Sequence, residues 1–127
     1  MDDTVSVRYI VDDVDAAVAF YGGHLGFTVE MRPAPGFAML ARGPLRLLLN
    51  TPGAGGAGQD AADGGRPAPG GWNRIQIAVD DVASLYARLG ADGVKFRTGI
   101  VEGNGGKQVL VQDPAGNLVE LFQPRPR

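Results

Sequence analysis

The strongest constraint on this chain is that it contains one pattern twice. Val5-Ser6-Val7-Arg8-Tyr9-Ile10-Val11-Asp12-Asp13-Val14 is matched by Asn73-Arg74-Ile75-Gln76-Ile77-Ala78-Val79-Asp80-Asp81-Val82. Each copy alternates with period two and then runs into Val-Asp-Asp-Val, which predicts a half-buried strand leading into a helix. One face of each strand is apolar (Val7, Tyr9, Val11; Ile75, Ile77, Val79). The other is mixed (Ser6, Arg8, Ile10; Arg74, Gln76, Ala78).

The helices follow from spacing. Val14, Ala17, Val18 and Tyr21 form one apolar stripe, and Val82, Leu85, Tyr86 and Leu89 form its counterpart. Asp12-Asp13 and Asp80-Asp81 supply capping oxygens and favourable charge at the helix starts. Gly22-Gly23 and Gly90 suit helix stops. Each apolar strand face is expected to pack under its own helix, with the mixed face turned away. Three more strands are expected per half: roughly Gly26–Arg32, Phe37–Ala41 and Leu45–Asn50, then Val94–Val101, Lys107–Gln112 and Leu118–Gln123. Asp113-Pro114-Ala115-Gly116 is a strong turn between the last two, and Ala41-Arg42-Gly43-Pro44 is its weaker counterpart. The fold class is therefore α+β, with two tandem βαβββ modules.

Residues 1–127 are read as a single domain. Module one spans about 4–51 and module two about 72–124. The Gly/Ala/Pro-rich stretch at about 52–71 buries too little apolar surface to order itself and is expected to be a flexible linker or loop. The tail at Arg125-Pro126-Arg127 is expected to fray. Composition narrows the function. With 44% hydrophobic and 20% charged residues and a net charge of -2, the chain reads as soluble and globular. There is no cysteine, so disulfides, thiol nucleophiles and thiolate metal sites are excluded. No apolar run approaches the roughly 20 residues of a membrane helix, and mild acidity argues against a nucleic-acid partner. The acidic Met1-Asp2-Asp3 start does not resemble a secretory signal, so a cytoplasmic location is expected.

These modules, the segment Phe20-Tyr21-Gly22-Gly23-His24-Leu25-Gly26-Phe27 and the ending Asp113-Pro114-Ala115-Gly116-Asn117-Leu118-Val119-Glu120-Leu121-Phe122 resemble the vicinal oxygen chelate superfamily of glyoxalases, bleomycin resistance proteins and extradiol dioxygenases. The resemblance implies two modules whose curved sheets enclose a common cavity. It also implies metal ligands on the first and last strands of each module. Here those positions carry Ser6, Leu47, Arg74 and Glu120. Only Glu120 coordinates a divalent ion well, and a catalytic ion needs about three protein ligands. A guanidinium at Arg74 adds repulsion where the cation would sit. His24, the single histidine, lies off these strands and reads as an exposed loop residue. No metal or other cofactor is therefore expected.

The inward residues carry the remaining functional argument. Arg8 and Arg74 are candidates to clamp a carboxylate, phenolate or enolate oxygen, with Ser6 and Gln76 beside them. Glu120 is a candidate general base, or else an ion-pair partner filling the old metal position. Phe37, Trp72 and Phe122 are candidate stacking walls, and Leu47 borders the site. The favoured function is binding of a small, oxygen-rich, partly planar molecule, a drug or biosynthetic intermediate, as in the antibiotic-resistance branch. The competing one is a metal-free lyase, cyclase or isomerase of specialised metabolism, with Glu120 moving a proton and an arginine stabilising an oxyanion. A metalloenzyme with an atypical ligand set is the third. The resemblance further implies a homodimer.

Overall fold

Residues 3–126 are described in a computed structural model of the chain, so Met1, Asp2 and the tail residue Arg127 lie outside the described residues. The chain divides into two compact units, residues 1–70 and 71–127. In the first, β1 (Val5–Ile10), α1 (Val14–His24), β2 (Thr28–Ala34), β3 (Phe37–Arg42) and β4 (Leu45–Asn50) follow in order. Their sheet runs β1-β4-β3-β2. In the second, β5 (Arg74–Ala78), α2 (Val82–Ala91), β6 (Lys95–Phe96), β7 (Val101–Glu102), β8 (Gly106–Gln112) and β9 (Leu118–Pro124) build a sheet ordered β5-β9-β8-β6, with β7 also on β8. First and last strands are parallel in both, β1 with β4 and β5 with β9. Among the described residues no helix is long and apolar enough to cross a membrane.

The duplication is repeated in detail. Val11 N donates to Asn50 O at 2.9 Å, and Val79 N donates to Phe122 O at 2.8 Å. Asp13 caps α1 by accepting from Ala16 N, and Asp81 caps α2 by accepting from Ser84 N. These bonds satisfy backbone donors that a helix start leaves without partners. The apolar strand faces then bury as their period requires. Tyr9, Leu40, Leu47 and Leu49 lie in the first core with Val14, Ala17, Phe20 and Tyr21 of α1. The Tyr21 ring stands edge-on to Tyr9, Phe20 and Phe27 at 6.5, 5.0 and 5.5 Å. Ile75, Ile77, Val109, Val111, Val119 and Leu121 do the same in the second unit, under Val82 and Leu89.

Local expectations need four corrections. The helices run through Gly22-Gly23 and Gly90 and end at His24 and Ala91. An interior glycine costs a helix only about 1 kcal/mol, and the left-handed turns come later, at Gly26 (φ 76°) and Gly93 (φ 84°). The strand expected over Val94–Val101 is broken into β6 and β7. There Thr98 Oγ1 takes the Leu110 N–H at 3.2 Å, a side chain replacing the ladder carbonyl. The stretch after β4 is a run of turns closed by its own backbone, including Gly53 N to Gly58 O at 2.7 Å and Ala61 N to Gly65 O at 2.7 Å. The tail begins tied down, because Arg125 N donates to Gly105 O and Arg125 Nη2 to Gly103 O.

Candidate functional site

Strand register decides which residues share the mixed faces, because paired residues on neighbouring strands project to the same side. In the second unit Arg74, Gln76 and Ala78 pair with Leu118, Glu120 and Phe122. Leu110 of β8 also faces Glu120. In the first unit Ser6, Arg8 and Ile10 pair with Arg46, Leu48 and Asn50, and Asn50 pairs onward with Phe37. This corrects one expected position. Leu47 pairs with Val7 and Leu40 and is fully buried on the helix side. Leu48 is the residue opposite Arg8, as Glu120 is the residue opposite Gln76. A leucine still stands where the duplication would put a second carboxylate.

The second unit holds a closed polar cluster. Glu120 is buried. Its Oε1 accepts from Arg74 Nε at 3.0 Å and Nη2 at 2.8 Å, and its Oε2 accepts from Gln76 Nε2 at 2.6 Å. Arg74 Nη1 donates to Trp72 O at 3.2 Å. A carboxylate this buried requires such partners, since desolvating it alone costs several kcal/mol. Trp72, expected as a stacking wall, is 58% exposed, and the Arg97 guanidinium already lies 4.2 Å from its ring centroid. Phe122 is half-buried beside Glu120 on the mixed face.

The first unit differs. Ser6 and Arg8 are exposed, and Arg8 Nη1 donates to Asn50 Oδ1. Asn50 is buried, and its Nδ2 reaches Ala54 O at 3.5 Å. Arg8, Asn50 and half-buried Phe37 line a cavity of about 480 Å³ with the loop at 54–57. His24, expected in a loop, ends α1 and stands edge-on to Phe20.

The donors present do not fit a divalent ion. Among the described residues no three His, Asp or Glu side chains cluster to hold one. Glu120 spends both oxygens on Arg74 and Gln76, and a guanidinium is a fixed cation at the second unit's first-strand position. No reaction step is therefore routed through a metal.

Two site residues escaped the sequence. Asn50 carries a usable signal: it holds the position in β4 that Phe122 holds in β9, so aligning the two copies by register finds it. Arg97 sits in the break between β6 and β7, where no period exists to read.

The sequence over residues 4–121 matches the model of the Glyoxalase/Bleomycin resistance protein/Dioxygenase superfamily, and the chain belongs to that family. Its fold is similar to that of lactoylglutathione lyase from Agrobacterium tumefaciens, with a TM-score of 0.74 and 24% identity over 94% of this chain and 91% of that one. It is also similar to that of an antibiotic binding protein from Streptomyces sp. CB03234, with a TM-score of 0.73 and 24% identity over 98% of each chain. A superfamily member from Sphaerobacter thermophilus DSM 20745 also aligns at a TM-score of 0.73 and 24% identity, over 94% of this chain and 95% of that one. No curated protein matches the sequence.

Proposed function

We propose that this chain is a metal-independent small-molecule binding protein, taking a small, oxygen-rich, partly planar ligand on the mixed faces of its sheets. The observation that carries this reading is the state of Glu120. The one carboxylate at an expected ligand position is neutralised by Arg74 and Gln76, with both oxygens engaged. To act as a general base it would have to release one of these partners inside a buried site, which is costly. An existing member of the fold that binds an antibiotic supports the same reading. The proposed working form is a homodimer.

Metal retention tests the proposal. Protein soaked in Ni, Co, Zn or Fe(II) and desalted is expected to keep well under one equivalent by elemental analysis. Stoichiometric metal that disappears in Glu120→Ala overturns it. The lyase or isomerase reading is tested by Glu120→Gln. Binding with no product from either protein supports a binding role, whereas a fall in turnover of about two orders of magnitude or more assigns Glu120 to proton transfer.

A further inference from the structure

We propose that the first unit carries an anion-selective pocket. Its occupant is a flat organic acid whose carboxylate or phenolate meets Arg8 and whose ring lies between Phe37 and the loop at 51–59. The inference rests on the binding reading above and adds the ligand's charge and the residues that sense it.

Charge balance comes first. A guanidinium has five N–H donors. Among the described residues Arg8 gives one to Asn50, and no carboxylate pairs with it. Arg74, by contrast, is neutralised by Glu120. Asn50 cannot neutralise a cation, but it can aim one. Its amide nitrogen is directed at Ala54 O, which leaves its oxygen for Arg8. The remaining donors of Arg8 are available along a cavity whose other lining is Phe37 and the small residues at 34, 36 and 54–57. One cation at the end of an apolar, aromatic-walled slot selects a ligand with one anionic end and a planar apolar body. The volume of about 480 Å³ lies within the range of small-molecule sites.

The second observation is that the wall is built. Gly58 N donates to Ala54 O at 3.0 Å, and Gln59 Nε2 donates to Gly55 O at 3.0 Å. Thr51 N donates to Gly36 O at 3.1 Å, which ties the loop to the β2–β3 turn. The fit leaves no room for a side chain at two points. A Cβ on Gly36 would fall 2.8 Å from Ala54 Cβ, and one on Gly58 would fall 2.5 Å from Ala54 N. A segment whose composition suggests a tether is thus folded tightly against the cavity.

The test uses 2-naphthoate and its neutral isostere 2-naphthamide as probes on the full chain, by calorimetry and by amide chemical-shift mapping. Naphthoate is expected to bind at least about tenfold more tightly than the amide, as a charge-assisted bond to arginine predicts. Shifts should centre on Phe37, Gly55, Gly56 and Ala57. Arg8→Gln should abolish the preference while leaving thermal unfolding unchanged, and Arg8→Lys should keep part of it. Asn50→Asp, which hands Arg8 a carboxylate, should also abolish it. Four results overturn the inference: equal affinity for the two probes, no saturable naphthoate binding at millimolar concentration, shifts centred elsewhere, or a preference that survives Arg8→Gln. Metal retention bears on the binding reading alone, so the two can fail separately.

Discussion

The two modules carry the same strand register and opposite charge chemistry. In the second, Arg74 is spent on Glu120, and Gln76 completes the cluster. In the first, Arg8 meets only the Asn50 amide, because Leu48 occupies the place that Glu120 occupies opposite Gln76. Duplication preserves the backbone scaffold, since period, caps and ladder depend on patterning that many residues share. The charge on the mixed face depends on single positions. The copies differ at Ser6 against Arg74, at Arg8 against Gln76 and at Leu48 against Glu120, and only the second module supplies its arginine with a carboxylate.

The sharpest way to break this comparison is to challenge the register that defines it. Leu47→Ala, which empties a fully buried site, is expected to cost about 3 kcal/mol, while Leu48→Ala on the half-buried mixed face costs about 1 kcal/mol. Denaturant midpoints at constant slope measure both. A larger loss from Leu48→Ala would mean that the two faces are exchanged, and equal losses would contradict the difference in burial between them. Next comes the closed cluster. Glu120→Ala should cost about 2 kcal/mol, less than a fully buried pair because the Arg74 side chain is 28% exposed. Adding Arg74→Met should recover part of that loss, and a double mutant less stable than Glu120→Ala would contradict the account.

The loop gives a smaller contrast. Gly58→Val must displace the Ala54 backbone and is expected to lower stability by about 1 kcal/mol. Removing three residues between 66 and 70 should change it by only tenths. Thermal unfolding of the pair separates a folded wall from a spacer. The smallest effect concerns the second helix cap. The Asp81 carboxyl is held below its ordinary range by the Ser84 backbone N–H first and the Ser84 hydroxyl second. A depressed folded value means that this contribution is present above the ordinary carboxylate range and is lost as pH falls through the folded one. Asp81→Ala should therefore lower the melting temperature slightly at neutral pH, and the gap to the unaltered protein should close in acid. A gap that widens in acid would refute the sign.

Much of this was legible because repeated patterns reinforce one another. The copies at Val5–Val14 and Asn73–Val82 define both first strands, both caps and the apolar stripes, and Asp113-Pro114-Ala115-Gly116 fixes the last hairpin. Arg74 and Glu120 were identifiable as a pair by strand parity within the second module. Legibility failed where period two gives no handle. In β4, Leu45, Leu47 and Leu49 share one face and Arg46, Leu48 and Asn50 the other, so the apolar Leu48 alone blurred the alternation until Val11 N and Asn50 O set the register. The glycine-rich stretch after β4 has no apolar residue large enough to announce packing. Its order comes from backbone bonds and close approaches, which composition does not encode. The break at Thr98 depends on a hydroxyl competing with a ladder carbonyl, a choice made only once β8 is in place.

That break has a consequence for the protein at high concentration. A straight outer strand is a template on which another chain can polymerise. On this side of the second sheet the template is cut into two dipeptides, β6 and β7. The matching strand of the first sheet, β2, is exposed along its length and presents Val29 and Met31, but its register slips twice, between Val29 and Met31 and again before Ala34. Neither margin offers an incoming strand more than a few residues in phase, so both edges are expected to be poor templates for accretion.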